Sequence, residues 1–320
     1  MTSHNQLTIG LVQMASVWLD REATVAKAAG YLIEAADAEC DLAVFGEALI
    51  PGYPFWLELT DGARFNDPAQ KHMHSWYLDQ GVVIERGDLG ALQAICKDRS
   101  IAAYVGIMER PPDRGGHSLY CSLVYLDATG VIGSVHRKLQ PTYEERLAWA
   151  MGDGHGLVVH SLGAFTVGGL NCYENWMPLA RAALYGQGED LHVAVWPGHV
   201  RNTTDITRFM ALESRSFVVS VSGIFRAEDI PVGTPFRDEL IAAVPASGYF
   251  ADGGSCVAGP DGEWLLAPVA HVEGLSVVSV DHSRVREERQ NFDLAGHYSR
   301  PDVTKLLVNR DRQSTIAFGS

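Results

Sequence analysis

Short apolar runs alternate along the chain with longer segments in which apolar residues recur at helical spacing. Residues 7–14 and 41–45 are apolar runs of strand length, and residues 20–38 between them place Val25, Ala28 and Leu32 on one helical face. Further strands are predicted at residues 101–108, 118–126, 131–136, 164–167, 191–196, 217–222, 255–258, 264–266 and 275–280. Further helices are predicted at residues 89–98, 179–184, 203–217 (capped by Thr203 or Thr204) and 281–290, and around Trp76 and Tyr77. This alternation, with a hairpin at residues 118–136, is typical of an α/β fold with a mixed sheet.

No segment rich in proline and serine divides the chain, so the pattern predicts one domain over residues 1–300. Residues 226–248 carry acids, prolines and glycines without a clear period, which predicts an excursion loop that could gate a pocket. Residues 301–320 form a C-terminal tail with the apolar run Leu306-Leu307-Val308. We expect this tail to pack at a subunit interface.

Cys172 stands between a predicted strand and a predicted helix. The strand at residues 164–167 is followed by Gly168 and Gly169, and Pro178 suits the first turn of the next helix, with Asn175 as a candidate N-cap. A thiol at such a turn faces a helix N-terminus, where the dipole favours the thiolate and therefore a nucleophile. The alternative is a small buried core residue, which is the commoner role of cysteine.

Two other reactive side chains share this placement after a strand. Glu47 follows the strand at residues 41–45, and Lys138 follows the strand at residues 131–136. If these strands and the one before Cys172 run parallel in one sheet, the three side chains converge at one edge. Glu47 could then accept the thiol proton, while Lys138 and the backbone N–H of Tyr173 stabilise developing negative charge. A solvated loop charge is the alternative role for each of Glu47 and Lys138.

Charge and cysteine content narrow the class of protein. The 320 residues carry a net charge of −14 from 39 acidic and 25 basic residues, so a nucleic-acid partner is not expected. The five cysteines are odd in number and widely spaced, which argues against a disulfide framework or a zinc site and fits a reducing compartment. Residues 1–6 lack the pattern of a signal peptide, and no apolar run is long enough to span a bilayer. A cytoplasmic protein is therefore predicted.

Three segments carry a resemblance to a known family. They are residues 45–54 (FGEALIPGYP), residues 136–146 (HRKLQPTYEER) with Trp149 and residues 152–154, and residues 172–178 (CYENWMP). In order and spacing they resemble the glutamate, lysine and cysteine segments of the carbon–nitrogen hydrolase (nitrilase) superfamily, and in detail its true nitrilase branch. The resemblance covers about residues 7–300. Gly46 stands where the family usually has Pro, and Tyr173 where nitrilases commonly have Trp.

The resemblance implies a four-layer αββα sandwich with mixed β-sheets. It implies Glu47 as general base, Lys138 as oxyanion stabiliser and Cys172 as nucleophile. A second glutamate after the lysine is also implied, and Glu145, which precedes Arg146, matches that position better than Glu144. The family implies no metal and no organic cofactor. It also implies a homodimer or a larger homo-oligomer such as a spiral.

The predicted reaction is hydrolysis of a small organic nitrile to the carboxylic acid and ammonia, through thioimidate and thioester intermediates on Cys172. Tyr173, Trp196 and Tyr53 are the predicted substrate-binding residues, and such aromatic walls favour aromatic or arylaliphatic nitriles. Alternatives within the superfamily are an aliphatic amide or N-carbamoyl hydrolase and a cyanide-processing enzyme. From other classes, a non-catalytic scaffold and a Cys-His enzyme using His199 stay open.

Overall fold

The computed structural model describes residues 5–316. Residues 1–4 of the N-terminal segment and residues 317–320 of the tail lie outside the described residues. The strands are Gln6–Gln13 (β1), Leu42–Phe45 (β2), Ala102–Glu109 (β3), Tyr120–Leu126 (β4), Ile132–Arg137 (β5), His160–Leu162 (β6), Phe165–Asn171 (β7), Leu191–Trp196 (β8), Phe217–Ser222 (β9), Ile224–Arg226 (β10), Tyr249–Ala258 (β11), Trp264–Ala270 (β12) and Gly274–Asp281 (β13). The α-helices are Arg21–Asp37 (α1), Trp56–Leu59 (α2), Pro68–Asp79 (α3), Gly90–Arg99 (α4), Pro178–Tyr185 (α5), Val200–Ser214 (α6), Arg237–Ala242 (α7) and Ser283–Arg289 (α8).

The strands form two mixed sheets. The first has the order β13-β1-β2-β3-β4-β5, and the second has the order β10-β11-β9-β8-β7-β6 with β12 paired to β11. Strands β1, β2 and β3 run parallel, as do β7, β8 and β9, and the outer strands of both sheets pair antiparallel. Each parallel segment is built from strand–helix–strand units, which require a helix on the sheet surface.

The two sheets pack face to face, and helices cover their outer faces. Val44 of the first sheet and Val193 of the second belong to one buried apolar cluster between the sheets. Leu32 of α1 and Leu92 of α4 pack on the outer face of the first sheet, and Ile206 of α6 packs on that of the second. The result is the four-layer αββα sandwich, so the fold implied by the resemblance is confirmed.

Most predicted elements occur, and three details differ. Residues 226–248 are not a structureless loop, because they contain the 3₁₀ turn Ala227–Asp229 and helix α7, whose Leu240 is buried. Helix α6 begins at Val200, so neither Thr203 nor Thr204 is its cap; both hydroxyls donate to the carbonyl of Val200. The short strands β6 and β10 have no counterpart in the predicted elements.

The described part of the tail lies against its own chain. Arg312 pairs with the buried carboxylate of Asp153 at 2.9 Å and donates to the carbonyl of Val135. The backbone N–H of Gln313 donates to the second oxygen of Asp153 at 3.0 Å. These contacts fasten the tail to strand β5 and to the segment that follows Lys138. A subunit interface involving the tail stays a prediction.

The helices and the cysteines bear on two questions, whether the chain spans a membrane and whether it forms disulfide bonds. Among residues 5–316, no helix combines the length and apolarity needed to cross a bilayer. All five cysteines fall in that part of the chain, and each is a buried free thiol. No disulfide links the described residues.

Candidate active site

Glu47, Lys138 and Cys172 meet at the strand ends, but not in one sheet as predicted. Glu47 follows β2 and Lys138 follows β5, and these strands of the first sheet run in the same direction. Cys172 follows β7, which belongs to the second sheet. The side-chain ligand atoms of Glu47, Glu145 and Cys172 nevertheless lie within 4.8 Å of one another. The three groups therefore converge across the interface between the two sheets.

Lys138 bridges two buried carboxylates. Its Nζ donates to Oε1 of Glu47 at 2.8 Å and to Oε2 of Glu145 at 2.7 Å. All three side chains are almost completely buried, with exposed fractions of 1% or less. An ammonium between two carboxylates offsets charge that would otherwise be costly to bury.

Glu145 is fixed by the local backbone. Thr142 and Glu145 form a capping box at the 3₁₀ turn Tyr143–Leu147, in which the backbone N–H of Thr142 donates to Oε2 of Glu145 at 2.6 Å. The hydroxyl of Tyr53 donates to the other oxygen, Oε1, at 2.8 Å. Glu145, and not Glu144, is thus the glutamate that contacts Lys138, as the sequence match indicates.

Cys172 begins the 3₁₀ turn Cys172–Trp176 with a left-handed φ of 46°. The N-cap of α5 is Met177 and not Asn175 as predicted. The side-chain amide of Asn175 instead donates to the carbonyl of Cys172 at 2.8 Å. Pro178 occupies the first turn of α5, as predicted. The bond from Asn175 holds the Cys172 backbone in a conformation that a non-glycine residue rarely adopts.

Glu174 ties this turn to the segment that carries Lys138. Its buried carboxylate accepts from the backbone N–H of Leu139 at 2.7 Å and of Asn171 at 2.9 Å. It also lies 3.1 Å from Nε2 of His136. One carboxylate therefore joins the end of β5 to the end of β7. Sequence reasoning did not single out Glu174, because Leu139 and His136 lie on a segment that the sequence alone does not bring next to it.

Burial dominates the electrostatics of the site. It raises the pKa of Glu47 to about 7, although Lys138 opposes the shift. It also raises the pKa of the Cys172 thiol, which Lys138 and the backbone N–H of Tyr173 counteract. Burial disfavours the ammonium form of Lys138, but the negative charges of Cys172, Glu47 and Glu145 hold its pKa well above the usual value. The carboxyl group of Glu47 therefore titrates near neutral pH beside a protonated lysine.

A cavity of about 570 Å³ opens onto Cys172. Of the predicted substrate-binding residues, Tyr53 and Tyr173 line it. The described residues that line it further include Phe55, Glu58, Leu59, Thr142, Glu144, Glu145, Pro197, Gly198, His199, Arg201, Asn202, Pro245, Phe250 and Ala251. Pro245 comes from the predicted excursion loop, which places that loop at the cavity wall.

Trp196 is not among the described residues that line the cavity, contrary to prediction. Its side chain is fully buried among α6 residues such as Met210, and its indole donates to the hydroxyl of Ser220 at 3.3 Å. Its carbonyl accepts from the backbone N–H of Glu47 at 3.3 Å, so it supports the site from behind. His199 lines the cavity, and its ring lies 3.8 Å from Asp252.

Comparisons with known proteins identify the family of the chain. Residues 8–290 match the carbon–nitrogen hydrolase family. A protein named Nitrilase 2, from an unknown prokaryotic organism, is 32% identical over 320 residues, covering 99% of this chain and 97% of that protein. An aliphatic nitrilase from Rhodococcus rhodochrous is 32% identical over 326 residues, covering 98% and 85%. The crystal structure of a carbon–nitrogen hydrolase from Helicobacter pylori G27 superposes with a TM-score of 0.68 at 18% identity, covering 93% of this chain and 96% of that one.

The chain therefore belongs to the carbon–nitrogen hydrolase family, whose members are hydrolases acting on C–N bonds. Within that family its similarity extends over nearly the whole chain to nitrilases, which confirms the resemblance found in the sequence.

Proposed function

We propose that the protein hydrolyses an organic nitrile to the carboxylic acid and ammonia, with Cys172 as nucleophile. One observation carries this assignment: the buried Lys138 bridges Glu47 and Glu145 beside the only thiol that borders the cavity among the described residues. A nucleophile, a base and a fixed cation at one point are what addition to an unsaturated carbon requires. The nitrilases to which the chain is similar support the choice of nitrile as substrate.

The first half-reaction forms a covalent intermediate. Glu47 accepts the proton of Cys172 while the sulfur bonds to the nitrile carbon, and the electron pair of the C≡N bond moves to nitrogen. Lys138 and the N–H of Tyr173 stabilise the negative charge that develops there. Proton return from Glu47 to that nitrogen gives a neutral thioimidate.

Two water molecules complete the reaction. The first adds to the thioimidate carbon, and ammonia leaves after nitrogen receives a proton, which gives a thioester. The second water, deprotonated by Glu47, attacks the thioester and releases the acid, and the thiol of Cys172 regains its proton. The sum is one nitrile and two waters converted to one acid and one ammonia. Glu145 orients Lys138 through both rounds by their 2.7 Å contact.

The proposal includes an aromatic or arylaliphatic nitrile as substrate, because aromatic side chains line the cavity. Tyr53, Phe55, Tyr173 and Phe250 contribute aromatic rings to its wall. Rings of this kind bury the apolar part of a small ligand while polar groups orient the reacting end.

We further propose a homo-oligomer that works in the cytoplasm, with residues 1–300 acting as one domain. Helices α5 and α6 expose the large apolar side chains of Leu179, Phe209 and Leu212, which a second copy would cover. Five free thiols fit a reducing compartment. One apolar cluster shared by both sheets supports the single domain.

Light scattering across a concentration series tests the proposed homo-oligomer. A mass of one chain at every concentration contradicts it.

The test of the reaction is ammonia and acid release from a panel of aromatic, arylaliphatic and aliphatic nitriles and cyanide, with the matched amides alongside. Cys172→Ala is the inactive variant, and Cys96→Ala, which removes a buried thiol of α4, is the matched control. Ammonia and acid from nitriles with the wild type and Cys96→Ala, but not with Cys172→Ala, support the proposal. Activity on amides alone replaces it with an amidase. Turnover by Cys172→Ala overturns the nucleophile assignment.

A further inference from the structure

A second buried thiol lies behind the base of the site. Cys121 is on β4, and its Sγ lies 3.4 Å from Oε1 of Glu47 and 3.9 Å from Oδ1 of Asn171. Its exposed fraction is 1%, and it does not border the cavity within the described residues. Cys121 therefore contacts the base without being reachable by substrate.

The thiol can only be the donor in this contact. Burial raises the pKa of Cys121, and the neighbouring carboxylate of Glu47 raises it further, so the sulfur keeps its proton. Glu47 as a carboxylate has acceptors only. The S–H group thus donates to Oε1, the same oxygen that accepts from Nζ of Lys138.

The other oxygen of Glu47 is left free. Oε2 is buried and has no hydrogen-bond partner among the described residues. Burying a carboxylate oxygen without a hydrogen-bond partner costs free energy, so such an oxygen is expected where a reaction uses it. Two donors on Oε1 fix the carboxylate on one edge, and the thiol of Cys172 lies within 4.8 Å of a Glu47 oxygen, so Cys172 is a neighbour available to Oε2.

We propose that Cys121 is a positioning residue which, together with Lys138, occupies Oε1 of Glu47 and reserves Oε2 to accept the proton of Cys172. The inference rests on the proposed function, because it assumes that Glu47 is the base and Cys172 the nucleophile. The proton passes from Sγ of Cys172 to Oε2, and Cys121 keeps its own proton throughout. The backbone of Cys121 contributes as well, since its carbonyl accepts from the N–H of Lys138 at 2.7 Å.

The contact also adjusts the strength of the base. A hydrogen bond to the charged form favours that form, so Cys121 lowers the pKa of Glu47 and moderates the rise that burial causes. The other titratable groups facing Glu47 are Lys138, Glu145 and Cys172, and Tyr53 and Tyr77 lie within electrostatic range. A substitution at Cys121 leaves all of these side chains in place, but Cys121 also contributes to raising the pKa of Lys138 and of Tyr77.

The experiment compares Cys121→Ala and Cys121→Ser with the wild type. Cys256→Ala is the matched control, because Cys256 is also a buried hydrogen-bonding thiol but contacts Thr207 at 3.6 Å. Two pH profiles are measured for each variant: kcat/KM for the best nitrile, and the rate of Cys172 alkylation by iodoacetamide, followed by mass spectrometry of the Cys172 peptide. The second profile requires no nitrile turnover, so failure of the proposed function and failure of this inference are distinguishable.

In Cys121→Ala the acid limb of both profiles is expected to move to higher pH by about 0.5 to 1 unit, a roughly three- to tenfold loss of rate on that limb. Cys121→Ser, whose O–H is a stronger donor, restores the limb to the wild-type position or below it. Cys256→Ala leaves it in place. Wild-type limbs in Cys121→Ala, or equal upward shifts in Cys121→Ser and Cys121→Ala, overturn the inference. If Cys121→Ala fails to fold, as judged by circular dichroism, the Cys121→Ser profiles alone decide, and an upward shift there overturns it.

Discussion

Lys138 and Glu145 are only seven residues apart, and two further hydrogen bonds to Glu145 support their contact. The 2.7 Å bond between Nζ and Oε2 joins two completely buried side chains. Thr142 and Tyr53 each donate to the carboxylate of Glu145, which leaves it no freedom to turn away. A cation fixed in this way needs no reorganisation when negative charge develops on a substrate.

Glu145→Gln is therefore expected to lower kcat/KM by about a hundredfold, because Lys138 loses one of its two charge partners and its orientation. Glu144→Gln is the matched control, since Glu144 lies on the cavity wall next in the chain and makes no ion pair with Lys138 in the described residues. Steady-state kinetics on the best nitrile checks the pair. Equal losses of kcat/KM in both variants would mean that negative charge at the cavity wall matters, and not the ion pair between Lys138 and Glu145.

The activity is expected to rise with pH through about 7. Burial raises the pKa of Glu47 to about 7, and only its carboxylate form can accept the proton of Cys172, so protonation below that pH removes the base. The profile of kcat/KM from about pH 5 to about pH 9 measures this limb. A rate that stays constant down to the lowest pH at which the protein remains folded argues against Glu47 as the base.

Glu174→Ala is expected to destabilise the fold by about 3 kcal/mol or more, because it leaves two buried backbone N–H groups and His136 without their acceptor. Glu287→Ala, a truncation of an exposed glutamate on α8, should change the free energy of unfolding by less than about 0.5 kcal/mol. Urea denaturation followed by circular dichroism gives both values. Equal stability of the two variants contradicts the bridging role of Glu174.

Gly106→Ala is expected to reduce activity at least about tenfold through the backbone of Glu47. A Cβ on Gly106 would overlap the carbonyl oxygen of Gly46 and lie 2.8 Å from Cα of Glu47, so the segment that carries the base must move. Gly30→Ala in α1 is the control: nothing lies within 4 Å of its Cβ, and it should stabilise the helix by about 0.5–1 kcal/mol. Retained wild-type kcat in Gly106→Ala would mean that the segment relaxes without displacing Glu47.

The elements and the candidate side chains could be predicted because both depend on local signals. Strands β8 and β9 coincide with the apolar runs at residues 191–196 and 217–222. Glu47, Lys138 and Cys172 each lie within two residues of the end of a strand, and each stands in one of the three motif segments. Their division between two sheets was not predicted, because β6 is only three residues long and its sequence His-Ser-Leu has no apolar pattern.

Trp196 shows a different limit. Side chains alternate between the two faces of β8, so Val193 and Val195 lie between the sheets while Ala194 and Trp196 face the outer helices. The sequence predicts that side chains of β8 alternate, but it does not show which of them face the other sheet and which face the helices. Cys121 and Glu174 were overlooked for a related reason: the partners of their side chains lie between 35 and 74 residues away, except that Asn171 is three residues before Glu174.

The division of the site between two sheets makes the reaction a joint product of two halves of the chain. The hairpin turn at Gly163, which is exposed, separates the segment that supplies Glu47, Lys138 and Glu145 from the segment that supplies Cys172. Neither half alone holds both the proposed base, Glu47, and the proposed nucleophile, Cys172. A chain cut at this turn would be a two-component enzyme, whose activity appears only when its halves reassemble into one sandwich.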